Sequence, residues 1–426
     1  IDFSGRLTNT AALGIYRGAG RPEAAMLMER LMDEAARLLN LDPVEIRRRN
    51  LIAANAFPYR TPTGETLDSG DYPTLLKRAA ERARYDELRA AQRTRRANGE
   101  IVGVGVGLYI EPCGQGWETA SIGLRGDGAI VASTGASAQG QGRETAFAQI
   151  VADALGVAIE RIIVRHGDTN DLANGTGALA SRSTAIGGSA MLRAAQAFGE
   201  KARSVAAKLL NCSADLIAPI GDGYAALDAR GAKIAWREIA DYAAREEGVR
   251  PDAVALQTAL TYHADGEAWS SGCCIATLSI DGDTGVPTVE EIVWVDDAGV
   301  VINPMLVRGQ LAGGMAQGFG EAMMEQIVYD ESGQLLTGSF MDYAMPRASD
   351  IPPLILDKME TPSPVNALGA KGVGEAGCIG VPAAIVSAAV DALSPYGVTH
   401  LNMPLTSQKI WKAMQSGTYS RGANTP

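Results

Sequence analysis

The spacing of apolar residues changes along this chain, from a helical repeat before residue 100 to strand-like runs from Val102 onward. Leu27, Met28 and Leu31 recur at the three- and four-residue spacing of an amphipathic helix over 23–39. After residue 102, short apolar runs alternate irregularly with longer helical segments. Strands and helices in this mixed order predict an α+β fold with mixed sheets rather than a regular parallel sheet.

Periodicity, caps and breakers predict the individual elements. Helices are expected over 23–39, 43–50, 72–97, 145–155, 184–211, 236–245 and 305–329, and after Pro382. Strands are expected over 102–111, 119–124, 129–133, 162–166, 256–263, 271–280 and 288–295, the last three as a meander. Polar sequence over 54–70 predicts a linker, and Asn98-Gly99 predicts a boundary.

Charge and cysteine usage restrict the class of protein. The net charge of -11 argues against a nucleic-acid partner or an anionic membrane surface. No apolar stretch reaches the roughly 18 residues that span a bilayer, so no transmembrane segment is expected. Five scattered cysteines without C-x-x-C spacing indicate reduced thiols, and we therefore predict a cytoplasmic protein. Three distant histidines give no local zinc motif.

Two glycine-rich loops each precede a predicted helix. The first, over 135–142, follows a strand, and the second, over 175–184, contains two serines and two threonines. A helix N-terminus offers free backbone N–H groups and a positive dipole end to an anion. The hydroxyls can donate to phosphate oxygens or merely cap the helix, and capping is the commoner use of any one of them. Together the two loops predict a large phosphorylated ligand.

A third glycine-rich segment carries a single acid, Glu375, within the run KGVGEAG over 371–377. The small neighbours let another molecule approach the backbone closely. Lys371 is the only cation close before Glu375 in the sequence. A carboxylate that is partly desolvated in such a place is a candidate general base. A solvated loop glutamate is equally compatible with this motif alone.

These segments, taken with others, resemble the molybdenum-binding large subunit of the xanthine oxidase family, which includes xanthine dehydrogenases, aldehyde oxidoreductases and aerobic carbon monoxide dehydrogenase-like enzymes. The matching segments are YRGAGRPEA (16–24), RRNL (48–51), GQGRET (140–145), GDT (167–169), ASRST (180–184), DAG (297–299), NP (303–304), GQ (309–310), GG (313–314) and GVGE (372–375). Their order and spread cover almost the whole chain, which makes chance a poor explanation.

The resemblance implies a molybdenum–molybdopterin cofactor, with the cytosine dinucleotide form as an open alternative. The metal would be held by the pterin and by no protein ligand. Glu375 matches the catalytic glutamate of the family, which lies beside the molybdenum without ligating it and acts as a base, while water supplies the oxygen. The cofactor-binding residues implied by the match are Arg17, Gly140, Gln141, Gly142, Thr145, Ala180, Ser181, Ser183, Lys371, Gly372 and Val373.

The resemblance also implies a domain organisation and partners. Residues 1–60 would be the C-terminal end of a first molybdenum cofactor-binding domain, 61–100 a helical linker, and 101–426 a second such domain with lobes over 101–265 and 266–426. The half of a large subunit that would precede residue 1 is expected on a separate or missing segment. Since the chain has no flavin or cluster motif of its own, FAD and [2Fe-2S] are expected on partner subunits.

Departures from the family bear on the small-molecule substrate. Carbon monoxide dehydrogenases place a cysteine after the arginine of the first loop, where this chain has Gly18, and this argues against CO oxidation. Ala19 stands where related enzymes commonly carry an aromatic ring. Tyr109, Ile110 and Glu111 match a segment that lines the substrate site. We therefore expect an oxidoreductase that hydroxylates a bulky aldehyde or an N-heteroaromatic carbon. Two alternatives stay open: a carbon monoxide dehydrogenase-like enzyme of unknown substrate, and a non-catalytic cofactor-binding or assembly partner.

Overall fold

The computed structural model describes residues 4–228, 231–250 and 252–417. Within these ranges no helix combines the length and the apolar character needed to cross a membrane. The α-helices are α1 (Arg21–Leu39), α2 (Pro43–Asn50), α3 (Tyr72–Arg82), α4 (Tyr85–Ala97), α5 (Arg143–Leu155), α6 (Ser189–Leu210), α7 (Trp236–Glu247), α8 (Pro304–Met323), α9 (Ala376–Ala392) and α10 (Ser407–Ser416). The strands are β1 (Tyr59–Arg60), β2 (Thr66–Leu67), β3 (Ile101–Pro112), β4 (Trp117–Arg125), β5 (Ile130–Thr134), β6 (Ile162–His166), β7 (Ile217–Ile220), β8 (Gly223–Ala226), β9 (Lys233–Ala235), β10 (Val254–His263), β11 (Trp269–Ile280), β12 (Pro287–Asp297) and β13 (Leu354–Met359).

Two four-stranded sheets organise the described chain. One has the strand order β10-β4-β5-β6, and the other has the order β13-β12-β11-β3. Both sheets are mixed, because β5 pairs with β6 and β12 with β13 in parallel, whereas the remaining pairs are antiparallel. The predicted α+β class with mixed sheets is confirmed.

The first sheet packs against α5, α6 and α7. Phe147 of α5, Phe198 of α6 and Trp236 of α7 are fully buried in one core. The rings of Phe198 and Trp236 stack with their centroids 6.0 Å apart. Burial of large apolar side chains stabilises a fold by roughly 1.5–3 kcal/mol each. This core fixes the end of β5, from which the glycine-rich loop over 135–142 leaves the sheet.

The second sheet holds α9 in close contact, and glycines make this contact possible. Three glycines alternate along β3 over 103–107 and therefore share one face of the strand. A Cβ added to Gly103 would lie 1.9 Å from the carbonyl oxygen of Ala388. Only glycine lets the backbone of α9 approach the strand this closely. Because Glu375 directly precedes α9, this packing also fixes the position of Glu375.

Three predicted helices differ from the observed ones. The helix predicted over 305–329 is α8, which ends earlier, at Met323. The helix predicted over 72–97 is two helices, α3 and α4, because Arg84 adopts a left-handed conformation with φ 48° between them. The helix predicted after Pro382 begins earlier, at Ala376, so that Pro382 lies inside it. Nearly every residue of α9 is buried, and this packing outweighs the hydrogen bond that an internal proline removes.

The predicted meander is wrong. Strand β10 pairs with β4 in the first sheet, whereas β11 and β12 pair with each other in the second. Alternating apolar residues identify a strand but not its partner. Strand β3 pairs along its whole length with β11, so the two predicted lobes, 101–265 and 266–426, share a sheet. The domain division stays a prediction, and its outer ends at residues 1 and 426 lie outside the described residues.

Candidate functional site

Segments that are distant in sequence line one cavity of about 520 Å³. They include Arg17, the loop over 139–143, the loop over 178–184 and the segment over 371–375, with residues from 298–310 completing the wall. Cavities of roughly 300–1,000 Å³ are typical of small-molecule and cofactor sites. The three glycine-rich segments that the sequence singled out are therefore brought together.

Glu375 lies at the edge of this cavity, immediately before the first turn of α9. Its backbone N–H donates to Oγ of Ser181 at 3.1 Å, and its Oε2 lies 3.5 Å from Nη1 of Arg21. The Glu375 side chain is 14% exposed although Oε2 is buried, so another part of the side chain remains open. A carboxylate held at a helix N-terminus with part of its surface accessible is suited to accept a proton from a bound molecule.

Lys371, the cation closest to Glu375 in sequence, points away from it. The Lys371 Nζ lies 3.1 Å from Oδ2 of Asp297, and both side chains are fully buried. Nζ also donates to Oγ1 of Thr361 at 2.9 Å and to the carbonyl oxygen of Ser69 at 3.3 Å. Because the side chain is engaged in this buried network, Lys371 meets the cavity through its backbone. The ion pair anchors the start of the 371–375 segment.

The 371–375 segment lies directly against the loop over 178–184. A Cβ added to Gly372 would lie 2.4 Å from the carbonyl oxygen of Ser181, so a side chain at this position cannot be accommodated. Ala180 and Ser181 adopt left-handed conformations with φ of 46° and 52°. Non-glycine residues in this region store on the order of 1–3 kcal/mol of strain and cluster at functional sites.

A buried carboxylate from β4 anchors the 178–184 loop. The Glu118 side chain is fully buried and accepts hydrogen bonds from the N–H groups of Thr176 and Gly177, both at 3.1 Å. Its Oε2 also lies 3.1 Å from Nη1 of Arg182, whose side chain is 4% exposed. A buried charge network of this kind holds its loop only while every member is satisfied. Ser181 and Ser183 are held in position on either side of Arg182.

Arg17 joins two walls of the cavity. Its Nε donates to the carbonyl oxygen of Gly374, and its Nη1 donates to Oε1 of Gln317 at 2.9 Å. Its Nη2 donates to the backbone and side-chain oxygens of Gln310, both at 3.2 Å. The rigid guanidinium therefore fixes the 371–375 segment relative to α8.

Arg143 lies where the first glycine-rich loop meets the N-terminus of α5, and it is 3% exposed. Its Nη1 donates to the carbonyl oxygen of Ala136 at 3.0 Å, while the nearest carboxylates, Glu118 and Glu144, act on it only through space. Burial lowers the pKa of Arg143 to about 10, because its charged form is desolvated. A buried guanidinium without a bonded carboxylate, at a helix N-terminus, is suited to a phosphate group.

The structure brings most of the predicted site residues to this cavity. Those that line it are Arg17, Gly140, Gln141, Gly142, Ala180, Ser181, Ser183, Lys371, Gly372, Val373 and Glu375. Thr145 and Ala19 are exposed and do not line it. The roles of all these residues stay predictions.

Tyr109, predicted at the substrate pocket, lies in the hydrophobic core instead. Its ring is 5% exposed and stacks on Trp294 with the centroids 5.5 Å apart, while its hydroxyl donates to Oδ1 of Asp296 at 3.0 Å. Alternation along β3 directs Ile110 to the opposite face, where it is 41% exposed and also outside the cavity wall. The buried position of Tyr109 therefore disagrees with the prediction that this residue contacts the substrate.

Two residues near the site, Arg21 and Arg143, were not predicted to act there, whereas Glu111 was predicted to lie in a segment that lines the substrate site and not beside Glu375. Arg21 contacts Glu375, Arg143 ends the first loop, and Glu111 reaches Glu375 from the end of β3. Arg21 and Arg143 lie inside segments that carried the family resemblance, so a signal was present for both.

Comparison with known proteins identifies the family. A family model described as a molybdopterin cofactor-binding domain matches residues 78–352, and a second model of the same description matches residues 1–51. The chain belongs to the molybdopterin cofactor-binding family. The resemblance to molybdenum-binding large subunits of the xanthine oxidase family is thereby confirmed.

Individual relatives agree with this assignment. The nicotine 6-hydroxylase large subunit of Paenarthrobacter nicotinovorans is 33% identical over 96% of this chain and 52% of its own length. The carbon monoxide dehydrogenase large chain of Hydrogenophaga pseudoflava is 35% identical over 97% of this chain and 54% of its own length. The crystal structure of quinoline 2-oxidoreductase from Pseudomonas putida 86 matches with a TM-score of 0.85 at 32% identity, over 95% of this chain and 53% of that one. The chain spans about half the length of these molybdopterin-family relatives.

The cavity fits the molybdopterin cofactor of this family. Its wall presents open backbone at Gly140, where an added Cβ would meet nothing within 4 Å, and Arg143 with the start of α5 is suited to a phosphate. Among the described residues, no group of three or more histidine, cysteine, aspartate or glutamate side chains could hold a metal ion. Attachment of the molybdenum through the pterin stays a prediction.

Proposed function

We propose that this chain is the catalytic part of a molybdenum hydroxylase that inserts oxygen from water at an N-heteroaromatic or aldehyde carbon. The observation that carries the proposal is the partly open carboxylate of Glu375 at the edge of a cavity built by three glycine-rich segments. A general base must lie within reach of the proton that it accepts. Membership of the molybdopterin-binding family supplies the group whose chemistry requires such a base.

The molybdenum–molybdopterin group, when bound, would supply the oxygen-transfer and two-electron redox chemistry. Backbone and hydroxyl groups over 140–142, 180–183 and 372–373 would hold the pterin, and Arg143 would pair with its phosphate. Glu375 would accept the proton at its open carboxylate oxygen. Arg21 would keep that carboxylate oriented, since its Nη1 lies 3.5 Å from the buried Oε2.

The choice between an N-heteroaromatic substrate and carbon monoxide rests on Gly18, because the names of the relatives refer to both kinds of substrate. The names of two of them refer to nicotine and quinoline. Gly18 occupies the position at which carbon monoxide dehydrogenases carry a cysteine. Its φ is 107°, and a Cβ there would lie 2.7 Å from Cδ of Pro22, so this backbone leaves no room for a thiol side chain. We therefore propose a ring substrate first and an aldehyde second.

The proposed complex includes an N-terminal half of the large subunit, an FAD subunit and a [2Fe-2S] subunit. The outer face of α1 exposes Leu27 (69%), Met28 (57%) and Leu31 (65%), and exposed apolar patches mark contact surfaces. The relatives are about twice as long as this chain, so the part of a large subunit that this chain does not span is the proposed cover of this face. The five free cysteines support a reducing compartment such as the cytoplasm.

The proposal is tested on the complete complex purified with its partner subunits. Elemental analysis measures molybdenum, mass spectrometry of the released pterin shows whether it carries a cytosine nucleotide, and turnover is screened against N-heteroaromatic compounds and aldehydes. We expect stoichiometric molybdenum and oxidation of at least one of these substrates. A complex without molybdenum that oxidises none of them would contradict the proposal and favour the assembly-partner alternative.

Substitution of Glu375 tests the assignment of the base. We expect Glu375→Gln to keep its molybdenum and to lower kcat by at least about 100-fold, because general-base catalysis contributes about 10²–10⁴. Glu331→Gln, at an exposed loop position, is the matched control and should leave kcat unchanged. A Glu375→Gln variant that is fully loaded with molybdenum and has a kcat near that of wild type would contradict the assignment of Glu375 as the base.

A further inference from the structure

Glu111 is an ionisable group next to the site for which the proposed function has no role. It lies near the end of β3, and its side chain is fully buried. Oγ of Ser270 donates to its Oε2 at a long distance of 3.5 Å, while Oε1 lacks a hydrogen bond of normal geometry among the described residues. Burial of an ionised carboxylate with so little support is strongly unfavourable.

The neighbour of Glu111 explains this unsupported oxygen. Glu375 is the charged group that acts most strongly on Glu111, and the two segments meet where the N–H of Gly372 donates to Sγ of Cys113 at 3.0 Å. Oε2 of Glu375 is likewise buried without a donor among the described residues. Two ionised carboxylates in contact repel each other, whereas one proton between them satisfies both.

The surroundings of the two carboxyls place this proton on Glu111. Glu111 is fully buried, whereas Glu375 is 14% exposed and has Nη1 of Arg21 at 3.5 Å. Desolvation first, and the adjacent Glu375 second, raise the pKa of Glu111 well above its ordinary value. Ser181 and Arg21 act in the opposite direction but less strongly. Glu375 is thus the partner better able to carry the negative charge.

We propose that Glu111 is a neutral carboxylic acid whose O–H donates to Oε2 of Glu375 and thereby positions the general base. This bond holds Oε2 on the protein side and leaves the other carboxylate oxygen for the cavity. Ser181 supports the base from its backbone side, because its Oγ accepts from the N–H of Glu375 at 3.1 Å. Glu111 does not line the cavity, so it is a positioning residue. The role of Glu375 as a base rests on the proposed function, whereas the proton shared between Glu111 and Glu375 does not.

Infrared difference spectroscopy of the complete complex tests the protonation state directly. The spectrum of wild type minus Glu111→Gln at pH 7 should contain the carbonyl stretch of a protonated carboxylic acid. Absence of this band, with carboxylate bands in its place, would show that Glu111 is ionised and would overturn the proposal. The readout does not depend on turnover or on bound cofactor.

The dependence of stability on pH is a second readout. The pKa of Glu111 is raised in the folded state, so its stabilising effect is complete below the unfolded pKa of about 4.3 and is lost as pH rises toward the folded pKa. We expect the Tm of Glu111→Gln, relative to the Tm of wild type, to increase as pH rises from 5 to 8. A constant difference would contradict a neutral Glu111. The ionisable groups that act on Glu111, or that Glu111 acts on, are Glu375, Arg21, Arg17, Tyr109 and Cys113.

Kinetics test the positioning role. Glutamine keeps the shape of a neutral acid and can donate to Glu375, so Glu111→Gln should retain kcat close to wild type. Glu111→Leu removes the donor and should lower kcat roughly 10- to 100-fold, the effect of one hydrogen bond to a charged group, while KM changes little. A Leu variant as active as wild type, or a Gln variant as impaired as Leu, would overturn the role.

Failure of the inference is distinguishable from failure of the proposed function. A complex that lacks molybdenum and oxidises nothing refutes the proposed function, yet the infrared band still reports on Glu111. A loaded and active complex without the acid band refutes only the inference.

Discussion

Nζ of Lys371 lies 3.1 Å from Oδ2 of Asp297, and neither side chain has any exposed surface. The carboxylate of Asp297 also accepts from the N–H groups of Gly299 at 3.1 Å and Thr361 at 3.0 Å. The pair joins the end of β12 to the segment that carries Glu375. A buried pair of this kind depends on both partners, because loss of one leaves an uncompensated charge.

We predict that Lys371→Met lowers the free energy of unfolding by about 3–5 kcal/mol, since Asp297 would remain buried without its cation. The matched control is Lys358→Met, whose partner Glu360 is 41% exposed and which should cost about 0–1 kcal/mol. Urea unfolding of the two variants measures both values. Equal losses of unfolding free energy in the two variants would show that burial does not make the Lys371–Asp297 pair more important for stability than an exposed pair.

A methyl group at Gly372 should disrupt the contact between two walls of the cavity. Its Cβ would lie 2.4 Å from the carbonyl oxygen of Ser181 and 2.7 Å from Cβ of Cys113. We expect Gly372→Ala to lower stability by about 1–3 kcal/mol and to reduce molybdenum content. Gly309→Ala adds a methyl group that meets nothing within 4 Å on α8, and should keep its molybdenum. Full molybdenum loading of Gly372→Ala would contradict this account.

Arg143 should matter more for cofactor retention than for folding. It has no bonded carboxylate in the described structure, so Arg143→Gln should change Tm little. Loss of a charge-assisted hydrogen bond to phosphate should weaken cofactor binding roughly tenfold or more. Release of molybdopterin during dialysis measures the effect, with Arg125→Gln, which removes a surface pair with Asp127, as the control. Identical release rates for the two variants would contradict the prediction that Arg143 binds the phosphate of the cofactor.

Asp296 should make the stability of the subunit depend on pH. Burial raises its pKa to about 7, although Tyr109 and Trp294 donate to it. Because the pKa is raised in the folded state, protonated Asp296 stabilises the fold, and this effect is complete below the unfolded pKa of about 3.9. The effect is lost as pH rises through about 7, and the total loss is on the order of 4 kcal/mol.

The variant Asp296→Asn cannot ionise, so its free energy of unfolding should fall less between pH 4 and pH 8 than that of wild type. Urea unfolding across this range compares the two slopes. Parallel slopes would mean that Asp296 is ionised in the folded protein throughout.

Local pattern was sufficient for part of the site. The order of strand, glycine-rich loop and helix around 130–143 depends on neighbours in sequence, and the structure has β5 ending at Thr134 and α5 beginning at Arg143. The helix predicted over 43–50 is α2, which Asp42 caps through its side chain. Motifs that combine several such segments were enough to indicate the family.

Contacts around Glu375 could not be predicted in the same way. Arg21 and Glu111 are far from it in sequence and meet it only because α1 and β3 both pack near the start of α9. Pro382 suggested the start of a helix, yet burial of α9 placed the proline inside it. Non-local packing of this kind leaves no periodic signal in the sequence.

The sequence by itself determined the fold class, the family and the three glycine-rich segments, because periodicity and motifs depend on residues close together in the chain. Only the tertiary structure decided that Lys371 turns into a buried ion pair, that Tyr109 packs on Trp294, and that Glu111 meets Glu375. The physical reason is that strand pairing and helix packing select which side chains become buried together, and burial in turn controls which of them carry charge.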